Sequence, residues 1–281
     1  MKLARFHYNG RTGVGMVRDR QLLPLPDDYG DDLIGVAADW PDARPRIEQA
    51  AAAATPLALA DVRLLSPVGR PEKIMAIGLN YADHIAESRL EWPKAQTWFA
   101  KHLSSLNGPF DPVEIPRVSD AVDYEAELVA VIGRKGRHIT AEDAPNHVFG
   151  YCVGNDVSVR DWQKASTQWV TGKSFDTHAP IGPWLTTADE IGDPHRLGIR
   201  CFVNGEQRQN SNTRELVFNL WDQIAYVSQA MTLLPGDILF TGTPGGVGFA
   251  SSPPRKLRDG DRVRVEIDEL GAIENLCADE R

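Results

Sequence analysis

The acidic stretch Asp123-Tyr124-Glu125-Ala126-Glu127-Leu128 runs directly into the apolar segment Leu128 to Ile132, and is answered later by Asn155-Asp156-Val157-Ser158-Val159-Arg160-Asp161. Side chains alternate faces along a strand, so Asp123, Glu125 and Glu127 are expected on one face. Like charges crowded in this way are unfavourable unless water or a cation relieves them. The apolar continuation carries the strand into a core, so the cluster opens onto a buried sheet, which favours a hard-cation site over a solvated face. Glu125, Glu127 and Asp156 offer only oxygen, a donor set suited to magnesium or manganese, ions that keep several waters and leave positions for a substrate. Asp156 has a second reading as the N-cap of a helical segment beginning near Ser158, and both readings stand on the residue alone.

A chain of 281 residues with 42% hydrophobic content can bury a substantial core in one large domain or two unequal ones. The formal net charge of −9 excludes non-specific nucleic-acid or anionic-lipid binding as its role, because such binding needs a basic face. No apolar run approaches the roughly 20 residues of a membrane span, and Met1 to His7 alternates charged and apolar residues instead of forming a signal-peptide core. A soluble protein is expected. Cys152, Cys201 and Cys277 share no ligand or redox spacing, so they read as buried spectators in a reducing cytoplasm.

Residues 1–68 read as a small N-terminal domain, with strands near Ala4 to Tyr8 and Gly13 to Val17 and a helix from about Arg46 to Ala54. The prolines and glycine of Leu64 to Pro71 suit a linker, and residues 69–281 form the second, mostly sheet domain. Strands are expected at Lys73 to Gly78, Glu127 to Gly133, Val148 to Val153, Gly198 to Val203, Asp237 to Thr241 and Arg262 to Asp268. Asn204-Gly205 predicts a type I′ hairpin turn. One long amphipathic helix is predicted from about Arg214 to Met231, with Leu216, Leu220 and Ile224 on one stripe and Val217, Trp221 and Val227 beside it.

Three further segments carry chemistry. In Gly78-Leu79-Asn80-Tyr81-Ala82-Asp83-His84-Ile85-Ala86-Glu87, a helical turn places His84 and Glu87 on one face, where the carboxylate can orient the imidazole or merely meet it at the surface. Thr171-Gly172-Lys173-Ser174 echoes the end of a phosphate loop but has Thr167 where the first glycine belongs, so Lys173 is either a charge stabiliser in a cleft or solvated. Thr241 to Gly248 is a glycine-rich loop whose amides could approach an anion, or a tight structural turn.

Together these segments resemble the fumarylacetoacetate hydrolase family, from about residue 72 to the C-terminus. The likeness rests on Gly78 to Tyr81 with His84 and Glu87, on Asp123 to Leu128 running into Val131-Ile132-Gly133, on Gly150-Tyr151 with Asn155 to Ser158, on Gly172 to Asp176, and on Thr241 to Pro244 with Gly246-Val247-Gly248. It implies an α+β, predominantly β fold: a mixed β-sandwich or β-roll catalytic domain behind a small N-terminal α/β domain, assembled as a homodimer. It implies Mg2+ or Mn2+ at Glu125, Glu127 and Asp156, with Asp123 in support. It places His84 and Glu87 on a mobile lid as a water-activating dyad, Lys173 as the charge stabiliser, and Arg160, Gln163 and Thr243 at the α-keto-acid end of a small-molecule keto acid. Ala95-Gln96-Thr97-Trp98 departs from relatives, which often carry a proline there, so the wall facing the substrate tail is expected to differ.

The reaction first implied is hydrolysis of a C–C bond in a 2,4-diketo acid of the acylpyruvate or fumarylpyruvate type. Water activated by His84 attacks C4, Lys173 stabilises the oxyanion, and a metal-stabilised pyruvate enolate leaves. Decarboxylation of oxaloacetate or an oxo-tricarboxylate, or isomerisation of a 2-hydroxy-diene-dioate or of an enol to its keto form, would use the same intermediate and is the alternative. A catalytically silent binding protein is the alternative of another class, opposed by the intact carboxylates, dyad and lysine.

Overall fold

The computed structural model describes residues 1–88 and 91–281. The apolar run after the acidic stretch forms the strand Ala126–Ile132, every residue of which is buried. It pairs antiparallel with Val148–Asn155 on one side and with Ile238–Phe240 on the other. A strand covered on both faces is a continuous apolar run instead of an alternating one. Here Leu128, Ala130 and Ile132 face one hydrophobic core, while Val129 and Val131 face another.

The chain is α+β and mostly β. This strand is central to a twelve-stranded sheet. Beyond Ile238–Phe240 come Ile74–Gly78 and the edge strand Thr97–Lys101; beyond Val148–Asn155 come Ala179–Thr187, Lys2–Tyr8, Arg11–Arg18 and Gln21–Pro24. The first strand joins the sheet through Lys2 opposite Thr186 and Leu3 opposite Leu185. A second, five-stranded sheet packs across the first core, contributing Ile199, Cys201, Val265 and Ile273. Its hairpin turns at Asn204 (φ 53°) and Gly205 (φ 78°), the two positive φ angles of the expected turn. No helix among the described residues is long and apolar enough to cross a membrane.

Three local expectations are corrected. The acidic stretch is not one strand: Val122–Asp123 pairs with Ser158–Val159, whereas Ala126–Ile132 pairs with Val148–Asn155, so the chain changes ladder at Tyr124-Glu125. The N-terminal helix spans Trp40–Ala53, six residues earlier than expected, with Pro41 accommodated in its first turn where no intrahelical donor is needed. The long helix shrinks to Leu220–Ala230, because Asn80 captures the segment before it. The Asn80 side chain donates to Phe218 O and accepts from Phe218 N, and the Asn80 main-chain carbonyl accepts from Val217 N, leaving Leu216 and Val217 outside the helix. Asn219 then caps the helix by accepting from Trp221 N and Asp222 N.

Candidate metal centre and active site

The site forms where the central strand begins. Register sets Ala126 opposite Asn155 and Glu127 opposite Gly154. The Asn155 side chain then accepts from Glu125 N at 2.9 Å, and Asp156 N donates to Glu125 O at 2.9 Å. These bonds bring Glu125, Glu127 and Asp156 together, with one oxygen of each within 4.8 Å of the others, all buried. Asp156 caps nothing: Ser158 and Val159 are strand, the helix starts at Arg160, and no side chain caps it.

Lys173 ends the short helix Val170–Lys173 and is buried, not solvated. Its Nζ donates to Glu125 Oε2 at 2.7 Å and Asp156 Oδ2 at 2.6 Å. The preceding Gly172 serves packing, since a Cβ there would lie 2.3 Å from Gln163 N on the adjacent helix. Arg160 donates from Nε and Nη2 to Asp123 Oδ2 and from Nη1 to Glu125 Oε1 at 2.6 Å and Gln163 Oε1 at 3.0 Å. Asp123 is thus joined to the carboxylate cluster through Arg160. Thr243 is buried, its hydroxyl accepting from Gln209 Nε2 at 2.9 Å.

Lys101, the last residue of the edge strand, is not singled out by its sequence context, yet it enters this cluster. Its Nζ donates to Asp156 Oδ1 at 2.6 Å and to the Lys173 carbonyl. A lysine closing a strand looks in sequence like an edge charge; only the alternation of Thr97 to Lys101 hints that it turns inward. Gln209 is equally silent in sequence. It binds Ala126 N as well as Thr243 and Pro244, tying the second sheet to the site.

The glycine-rich loop uses its amides on the protein's own anions. Gly242 N donates to Glu127 Oε2 at 2.7 Å, Gly245 N to Asp83 Oδ1 at 3.2 Å, Gly246 N to Glu87 Oε2 at 2.8 Å and Gly248 N to Asp123 Oδ1 at 2.8 Å. Gly242 has φ 103°, and a Cβ there would lie 2.8 Å from that of Asn80, so the turn requires glycine. His84 and Glu87 share the helix Ala82–Ser88, but His84 Nδ1 and Glu87 Oε2 are 3.8 Å apart, too long for a hydrogen bond. His84 Nδ1 is buried without a hydrogen-bond partner.

The electrostatics separate the carboxylates. Burial opposes ionisation of Glu125, but Lys173 and Arg160 outweigh it and hold the carboxyl at about 2. Burial, then the charges of Asp156 and Glu125, push Glu127 well above the ordinary carboxylate range. Burial lowers Lys101 despite Asp156, whereas Lys173 is raised against burial by Asp156 and Glu125. Among the described residues Glu127 makes no ion pair, while Glu125 and Asp156 both do. A buried carboxylate without a cationic partner, between two others, is the setting a hard divalent cation relieves. The oxygen-only donor set fits magnesium or manganese.

Comparison with known proteins agrees with this architecture. Residues 73–277 match the family model of the fumarylacetoacetate hydrolase C-terminal domain. A mitochondrial oxaloacetate tautomerase of Xenopus laevis is 54% identical over 221 residues, covering 78% of this chain and 69% of that protein. The solved fumarylacetoacetate hydrolase of Exiguobacterium antarcticum is 37% identical with a TM-score of 0.90, each chain fully covered. Maleylpyruvate hydrolase from Sphingobium sp. SYK-6, solved in complex with manganese(II) and pyruvate, is 36% identical with a TM-score of 0.86, again over both whole chains. Matched by that family model over residues 73–277 and carrying lysine-bridged carboxylates beside a glycine-rich loop, this chain belongs to the fumarylacetoacetate hydrolase family.

Proposed function

We propose that the protein is a divalent-cation-dependent enol–keto isomerase of a small 2-oxo dicarboxylate of the oxaloacetate type. Hydrolysis of an acylpyruvate, the first expectation from sequence, becomes the second reading. The observation that carries the choice is the state of the His84–Glu87 pair. Glu87 is committed to the Gly246 amide, and His84 Nδ1 is buried and unpartnered. A group that carries a proton to and from carbon can act without that carboxylate contact, since its work is proton transfer alone. The 54% identity to a protein named as an oxaloacetate tautomerase supports the same choice.

Glu125, Glu127 and Asp156 would hold Mg2+ or Mn2+, which when bound polarises the C2 oxygen and offsets charge growing there. Arg160, Gln163 and Thr243 bind the adjoining carboxylate. The Lys173 ammonium donates a hydrogen bond to the C2 oxygen. His84 Nδ1 takes the proton from C3 or returns it, so that one proton moves between carbon and oxygen and no C–C bond breaks.

A substrate panel tests this. With Mn2+ or Mg2+, conversion of enol to keto oxaloacetate is expected to outpace pyruvate release from acetylpyruvate and fumarylpyruvate; faster pyruvate release restores the hydrolase reading. A homodimer and a reducing compartment accompany this proposal. Light scattering checks the first.

A further inference from the structure

Two lysines meet at the carboxylate cluster, and their donors are used differently. An ammonium has three N–H groups. Lys101 Nζ directs them at Asp156 Oδ1 (2.6 Å), Val157 O (3.4 Å) and the Lys173 carbonyl, and its side chain is wholly buried. Among the described residues Lys173 Nζ hydrogen-bonds only to Glu125 and Asp156, with its ammonium 4.9 Å from the centroid of the Phe99 ring, leaving one N–H without a hydrogen-bond acceptor. Lys101 therefore joins the sheet edge to the end of Val148–Asn155 and to the turn that carries Lys173, and the neighbouring His102 N adds a bond to Ser174 Oγ at 3.0 Å.

We propose that Lys101 is a positioning residue: it fixes Asp156 and the Lys173 backbone in the geometry the cation site requires, leaving Lys173 as the lysine that engages a ligand. The inference rests on the cation site proposed above. Its rival is a purely electrostatic role, and the two predict opposite signs. A positive charge beside a ligand carboxylate repels a divalent cation, so removing mere charge tightens metal binding. Removing a group that orients a ligand from outside loosens it, by about tenfold or more.

The test is Mn2+ affinity of the full-length protein, read from the electron paramagnetic resonance of free Mn2+, with folding checked by thermal melting. Lys101→Met is expected to weaken binding about tenfold. Lys101→Gln, which keeps a donor but no charge, is expected to recover part of the loss, and it decides the question if Lys101→Met does not fold. Lys173→Met, which removes a competing ammonium, is expected to bind Mn2+ at least as tightly as wild type. Wild-type affinity or better in Lys101→Met, or binding tighter than wild type in Lys101→Gln, overturns the positioning role alone. A wild-type protein that binds no Mn2+ overturns the cation site and this role together.

Discussion

Glu127 lies beside Glu125 and Asp156, only 1% exposed, and its carboxylate accepts from the Gly242 amide. Burial and two like charges make its ionised form unfavourable in the metal-free protein, so Glu127→Gln is expected to leave that protein as stable as wild type or more so. The same change should abolish stabilisation by Mn2+, which in wild type amounts to about 2.7 kcal/mol at a hundredfold excess over Kd. Thermal melts with and without Mn2+ check both; a variant that Mn2+ still stabilises would remove Glu127 from the ligand set. The pairing of Glu125 with Glu127 was legible in sequence because carboxylates at alternate positions beside an apolar run place like charges at the edge of a core, where a cation is the natural relief, whereas Asp156 read equally as a helix cap. Lys101 was not, because what makes it notable is a contact with Asp156 across a sheet.

At the scale of elements, short-range rules succeeded where local chemistry decides and failed where a distant residue intervenes. The Asn204-Gly205 turn follows from two residues that tolerate positive φ. The helix predicted from Arg214 has continuous amphipathic spacing, but Asn80 holds Val217 and Phe218 in a non-helical strap, an arrangement no local window contains. Asn219 is the consequence: it starts the helix that remains, accepting from two amides. Asn219→Ala is expected to cost about 1 kcal/mol, measured by denaturant unfolding. No loss of stability would mean that the strap, not the cap, sets the helix start.

For the whole molecule, the sheet and core cross the boundary drawn at residue 68. Leu3, Val14, Leu33 and Ile47 share one core with Val129, Phe149, Ile181 and Leu185. Linker-like prolines suggested a division, but sheet pairing such as Leu3 with Leu185 is invisible in composition. A chain lacking residues 1–68 would expose that apolar face, and is expected to be insoluble or to bind a hydrophobic dye; a soluble, cooperatively melting fragment would show that the second unit folds alone. The mostly β class was legible because strands dominate the larger part of the chain; the hydrolase emphasis was not, because the same residues serve several reactions. His84 is the group proposed to move the proton at C3. Enol-to-keto conversion of oxaloacetate should therefore be followed in the Mn2+-loaded wild type and in His84→Asn. A fall in kcat of about a hundredfold or more with little change in KM is the outcome predicted for a lost general base, and an undiminished rate in His84→Asn would contradict it.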